Sequence, residues 1–231
     1  MRVTAVLLAC TITSACLPVM PHPTRVDAAF RVGVASGIAM VVDSNTTRED
    51  VRAVGVPFAD LDVALGIRDT TSVDKPGVRL AGSAGMTGIG GSAYLELPRG
   101  MFGILDAGAG IAYHRGSFNT LLPYAQFGGP ISRDADWFVR NAVAFVRNPT
   151  DHESATLWMP SAGMFRRNGS RMSSVYLAAV IGGQPRIRRY CVIYRCIPYS
   201  NRDVHTFLIV GGSVSFAIAT PRYGEPPPSR R

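Results

Sequence analysis

Eight consecutive residues, Leu61 to Arg68, alternate without a break: Leu61, Val63, Leu65 and Ile67 take one parity, and Asp62, Ala64, Gly66 and Arg68 the other. A helix would scatter Asp62 and Arg68 among the leucines, whereas a strand sends successive side chains to opposite faces and so sorts them cleanly. The same period runs from Phe30 to Val42, where Phe30, Val32, Val34, Ile38, Met40 and Val42 oppose Arg31, Gly33, Ala35, Gly37 and Ala39. It recurs with Arg79, Ser83 and Thr87 against Val78, Leu80 and Met86, then with Ser92, Tyr94 and Glu96 against Ala93, Leu95 and Leu97. A Pro98-Arg99-Gly100 turn leads to a return strand, in which Leu105, Ala107, Ala109, Ile111 and Tyr113 oppose Asp106, Gly108, Gly110, Ala112 and His114.

Further strand segments fall at 119–128, 136–147, 154–166, 173–183 and 205–219, with Asn168-Gly169 as a hairpin signal between two of them. The count is about ten strands, within a range of eight to twelve. Thr46 to Val54 stays open among a loop, a short helix capped by Thr47 and an extra strand.

The two faces differ in kind. A sandwich would put the apolar face in a dry core and Lys, Glu or Thr on the other. Here the second face is mostly glycine, alanine and serine with an occasional charge, which suits a confined barrel interior. The expectation is an all-β, antiparallel up-and-down barrel with its apolar rows outward. Asp62, Arg68, Arg79, Glu96, Asp106 and Arg140 are then lumen charges that pair with one another, because an unpaired charge there costs several kcal/mol. Tyr94, Tyr113, Tyr124, Trp137, Trp158 and Tyr176 lie near strand ends, where aromatic girdles of a membrane barrel would sit.

The ends of the chain read differently. Arg2 precedes an apolar stretch from Val3 to Ile12 that closes on Thr13, Ser14, Ala15 and Cys16, the pattern of an export signal and too short to span a bilayer. The expected organisation is a signal peptide over 1–15, a flexible tether over 16–28 with little periodicity, one barrel domain over 29–219, and a disordered proline-rich tail over 220–231. No second long apolar run occurs, so a spanning helix is excluded.

The formal net charge of +8 is carried almost wholly by arginine, Lys75 being the only lysine. The arginines are scattered along the chain, with small groups at Arg166, Arg167 and Arg171, at Arg186, Arg188 and Arg189, and at Arg230 and Arg231. Together with export, this points to solvated rims and anionic headgroups of membrane lipid, and away from nucleic acid.

Cys10 leaves with the signal. Cys191 and Cys196 enclose four residues, and a local disulfide is the plain reading, since two cysteines without nearby histidine or carboxylate fall short of a zinc site. No metal or cofactor is implied.

Catalytic signals are sparse. Gly82 to Gly91 lacks both the Gly-x-Gly-x-x-Gly and the Walker spacing, and no Gly-x-Ser-x-Gly elbow occurs. His152, Glu153 and Ser154, with Asp151 beside them, bear comparison with the His-x-Ser site of outer-membrane lipid A deacylases, but they fall in a polar turn. Asp203 with His205, or Asp106 with His114, compares with the omptin proteases and lacks their second acidic pair.

The run from Asp60 to Phe145, with Asp-Leu-Asp-Val-Ala-Leu-Gly-Ile, Leu-Glu-Leu-Pro, Asp-Ala-Gly-Ala-Gly-Ile-Ala-Tyr and Leu-Leu-Pro-Tyr-Ala, resembles the small outer-membrane β-barrel proteins of Gram-negative bacteria. Cys16 after Ser14 and Ala15 resembles the lipobox of bacterial lipoproteins, which implies cleavage before Cys16 and its acylation. The two departures are the tail after Phe216 and the pairing of a lipid anchor with an inserted barrel.

The expected function is that of an outer-membrane-associated barrel with a structural, adhesive or ligand-contacting role and no catalysis. Its ligand cannot be read from the residues. About ten strands is too few for a general porin. Two alternatives stand: a soluble periplasmic lipoprotein with a lipocalin-like barrel around an apolar ligand, and a lipid-modifying hydrolase. The first requires Leu61, Val63, Leu65 and Ile67 to line the cavity.

Overall fold

A computed structural model describes residues 21–42, 54–69, 75–86, 88–98, 105–116, 119–147, 149, 154–183, 190–192, 195–197 and 205–219. The expected signal peptide, Cys16 and the tail over 220–231 lie outside them, as do His152, Glu153 and Asp203.

Ten strands close into one antiparallel barrel: β1 (Phe30–Val42), β2 (Val54–Arg68), β3 (Gly77–Gly85), β4 (Gly88–Glu96), β5 (Asp106–Arg115), β6 (Asn119–Ser132), β7 (Ala135–Arg147), β8 (Ser154–Asn168), β9 (Arg171–Gly183) and β12 (His205–Ala219). Between β9 and β12, β10 (Tyr190–Val192) and β11 (Arg195–Ile197) form a separate two-stranded ladder. Each barrel strand pairs with its sequence neighbours in the barrel, and β1 pairs with β12 to close the ring. Strand number and topology are those the alternation implies.

An even number of barrel strands brings Phe30 and Ala219 to one rim, where they are register partners. This is the terminal rim; the other, where β1 gives way to the connection to β2, is the distal rim. The terminal rim carries two of the two-residue hairpins, β6–β7 and β8–β9, and the distal rim carries β3–β4. In the second, Asn168 ends β8 and Gly169 takes φ 59°, the left-handed conformation that glycine adopts without a Cβ penalty. The turn thus lies one residue beyond the Asn168-Gly169 expectation. β2 begins at Val54, seven residues before the alternating run at Leu61, because Pro57 and Ala59 break the pattern of bulky outward residues without breaking the pairing with β1.

The apolar rows face outward. Leu61 is 61% exposed and Ile67 55%, with Val63 and Leu65 on the same face. Val34, Ile38, Val78, Leu80, Leu95, Ile111, Leu121, Val143, Val175, Leu177 and Val210 continue the band over neighbouring strands. The lipocalin-like alternative, which needs the Leu61 row around a cavity, is overturned by this orientation.

The interior departs from the expected lining of small and ionic residues. Phe58, Leu122, Val146, Met159, Val180 and Ile209 are buried inward-facing residues toward the distal rim, and Phe138, Phe165 and Met172 form a second cluster near the terminal rim. Several aromatic side chains lie over a glycine directly across the ladder: a Cβ at Gly37 would meet the Phe58 ring at 2.7 Å, and one at Gly163 the Phe138 ring at 2.7 Å. Period two fixes which residues share a face. It does not show that a face rich in glycine makes room for rings from the neighbouring strand.

The aromatic girdle is corrected in part. Tyr113 and Trp158 are exposed on the outer face, and Trp158 donates to the Asn141 side chain beside it. Tyr94 and Tyr124 are instead buried in the lumen, and Tyr176 packs against both interior clusters.

Candidate functional site in the occupied lumen

The expected tether over 16–28 is corrected for the residues described. Residues 21–29 run inside the barrel, with His22 1% exposed and Thr24, Val26 and Ala29 buried. The segment starts at the terminal rim, where the Ala29 carbonyl accepts the Gly66 N–H next to the first β1–β2 pair, and descends as residue number falls. Pro21, its deepest described residue, shares the wall of a small cavity with Leu122, Met159 and Ala178.

Ten strands explain why there is room. An eight-stranded barrel is filled by its own side chains and wider barrels are not, so the added width must be occupied or left open. Three inward glycines widen the space further. A Cβ at Gly66 on β2 would overlap the Asp27 carbonyl oxygen, one at Gly77 on β3 would lie 2.8 Å from Val26 Cβ, and one at Gly128 on β6 would lie 3.1 Å from Thr24 Cβ.

The wall binds the backbone of the segment. Tyr94 donates its hydroxyl to the Thr24 carbonyl at 2.9 Å, and Gln126 Nε2 donates to the His22 carbonyl at 2.8 Å and to Thr24 Oγ1 at 3.0 Å. Glu96 Oε2 accepts the Val26 N–H at 2.8 Å. At the rim Asp27 meets Arg31 at 3.0 Å and Arg167 at 3.3 Å.

His22 is the deepest polar residue of the segment. Its Nδ1 lies 2.9 Å from the Pro23 carbonyl and its Nε2 2.9 Å from the Tyr124 hydroxyl, an arrangement satisfied by a neutral ring with the proton on Nδ1. The ring stands edge-on to Tyr94 at 4.3 Å, Tyr94 stacks on Tyr124 at 6.1 Å, and the Arg140 guanidinium lies 4.6 Å above Tyr124. Burial, and after it the cationic Arg140 and Arg79, hold the His22 imidazole well below its ordinary pKa.

The six lumen charges named from sequence all face inward. Arg68 donates to both Glu96 oxygens, at 2.8 and 3.0 Å, and Arg79 meets Asp62 at 3.2 Å. Arg140 Nε donates to Gln126 Oε1 at 2.9 Å, and Asp106 is buried on β5. Glu96 and, through Gln126, Arg140 thus support the segment as well as the wall. Beside it a cavity of about 30 Å³, bordered by Pro23, Asp27, Arg31, Asp62, Arg79 and Ser215, has space for about two water molecules.

The other sequence candidates are not assembled. Asp106 and His114 occupy opposite ends of β5, eight residues and roughly 26 Å apart at strand rise. Ser154 opens β8 as an exposed residue, and its proposed partners lie outside the described residues. No cluster of three or more His, Cys, Asp or Glu suited to a metal occurs among the described residues. Cys191 and Cys196 are direct register partners on the β10–β11 ladder.

Sequence reasoning missed the segment because residues 17–28 lack periodicity, which in isolation looks like a linker. The available signal was on the wall, where Gly66, Gly77 and Gly128 place glycine at inward positions on three strands.

No family model and no curated protein matches this chain. Among solved structures it is similar to the KdgM porin, at 10% identity and a TM-score of 0.34, with 81% of this chain and 99% of that chain covered. A KdgM porin in complex with disordered oligogalacturonate gives 9% identity, a TM-score of 0.31 and the same coverage. A mutant of the Rh. blastica porin gives 9% identity and a TM-score of 0.21, again over 81% of this chain and 99% of that chain.

Proposed function

We propose that this protein is an exported β-barrel embedded in an outer membrane, with a non-catalytic role. In the resting state its lumen is filled by its own N-terminal segment, and its distal rim serves for contact with other molecules. The observation that carries this is the continuous outer band containing Leu61, Val63, Leu65 and Ile67, more apolar surface than a soluble barrel exposes to water. The connection from β9 to β12, which holds the β10–β11 ladder and the facing Cys191 and Cys196, supports a structural, adhesive or ligand-contacting role at that rim. A Cys191–Cys196 disulfide would stiffen it.

Acylation of Cys16 is the finer part of the reading. Four residues lie between Cys16 and Pro21, and the five steps of extended chain reach at most about 18 Å. Pro21 lies beside Met159, five residues from the distal end of β8 and nine from its terminal end. With the segment in place, an acyl group on Cys16 would therefore reach the leaflet on the distal side. Mass measurement of the mature chain and of Cys16→Ser tests it.

Membrane pellets washed with carbonate or urea, followed by electrophoresis with and without heating, test the main reading. Retention in the pellet and faster migration of the unheated chain are expected. Extraction into the wash together with heat-insensitive migration would overturn it.

A further inference from the structure

We propose that the terminal half of the lumen is a binding seat for an extended peptide backbone, that residues 21–29 are its resident occupant, and that their departure opens a passage for small solutes through the barrel. This rests on the membrane-embedded reading above.

The seat engages the segment's backbone as well as its side chains. Tyr94, Gln126 and Glu96, from β4 and β6, engage the carbonyls of Thr24 and His22 and the N–H of Val26. Such contacts suit any extended chain with small side chains at the positions where Gly66, Gly77 and Gly128 leave space. Among the described contacts, what holds the segment is hydrogen bonds, ion pairs of Asp27 and the packing of Val26 and His22, for which water or a second peptide can compete.

Among the described residues the segment is joined to the barrel at one end, through Ala29 into β1, so in a chain without an acyl group on Cys16 it can leave without breaking a barrel ladder. Its departure would leave Arg68 with Glu96 and Arg79 with Asp62 paired on the wall, so the terminal half it uncovers carries wettable groups, and solutes would then pass the apolar side chains of Phe58, Leu122, Met159 and Ile209 toward the distal rim. The occupant of a seat of this chemistry is a peptide, either this segment or another extended chain presented at the terminal rim.

The full chain in planar lipid bilayers tests the proposal with two variants, one that alters the segment and one that ties it to the wall. Val26→Asp places a carboxylate beside Glu96 and should expel the segment, raising the frequency of open steps about tenfold over wild type. A free peptide spanning residues 21–29, added on the terminal side, should close that variant again. Thr24→Cys with Gly128→Cys joins positions whose Cβ atoms would be 3.1 Å apart, so a small outward shift of the segment brings them into disulfide range. Oxidised, this chain should stay closed; reduced, it should open at least as often as wild type, since Thr24→Cys removes the oxygen that accepts from Gln126 and Gly128→Cys crowds the segment.

Labelling of Thr24→Cys by a water-soluble maleimide in detergent reads the seat independently of conduction and should be about tenfold faster in the Val26→Asp background. Equal labelling in the two backgrounds would overturn the seat. Faster labelling with unchanged conductance, in a chain that still shifts on heating, would overturn the passage. A chain that never inserts refutes the membrane reading and the passage with it, while the labelling still decides the seat.

Discussion

His22 joins the segment to four wall strands: Tyr94 on β4 and Tyr124 on β6 contact its ring, and Arg140 on β7 and Arg79 on β3 disfavour its charged form. It precedes β1 and is not part of a spanning strand. With the segment in place its pKa is depressed, so the seated state binds fewer protons than the released one, whose histidine titrates near 6.5. Seating is therefore fully favoured above about pH 6.5 and weakens as pH falls below it. The labelling rate of Thr24→Cys, taken relative to that of a free thiol at the same pH, should rise on acidification from neutral pH, and His22→Gln, which keeps a neutral hydrogen-bonding side chain, should flatten that dependence. None of this was legible in the sequence: a lone histidine between two prolines shows no partner until the barrel brings Tyr94 and Tyr124 to it from 72 and 102 residues away.

The β8–β9 hairpin shows what the sequence does convey at the scale of an element. Asn168-Gly169 announces a turn that tolerates positive φ, and the structure places Gly169 at φ 59° with Asn168 paired to Arg171. Gly169→Val should cost about 1–2 kcal/mol, the penalty of a left-handed conformation for a branched residue, and Gly169→Asn distinctly less. The midpoint of urea unfolding measures both. β2 marks the limit of such reading. Its bulky alternation from Leu61 to Arg68 is complete, but the stretch from Val54 to Asp60 depends on pairing with β1, which only the assembled sheet supplies. The lumen aromatics are a similar case. Tyr94, Tyr124 and Tyr176 are expected at strand ends with Tyr113 and Trp158, but Tyr124 and Tyr176 lie mid-strand, and the inward direction of all three follows from parity against the outward rows rather than from residue type.

At the scale of the molecule, the direction of the apolar rows decides the environment. Val63 lies near the middle of β2 and points outward. In lipid, Val63→Arg should destabilise the barrel by about 2–4 kcal/mol, as a charge at the bilayer midplane does, whereas on a water-facing surface it would be close to neutral. Urea titration of the chain in liposomes separates the two. The closed barrel could be anticipated because alternation and a small-residue face both survive in a single sequence. The filled lumen could not, since it depends on the excess width of ten strands and on three glycines that meet only after closure.

The segment that fills the barrel is continuous with the strand that closes it, for residues 21–29 run straight into β1 and β1 is sealed against β12. When the first and last strands are joined during biogenesis, the stopper is already attached at the mouth it blocks. A newly completed barrel therefore need not leak, and cells making more of it should gain little sensitivity to small toxic compounds until the stopper is drawn out.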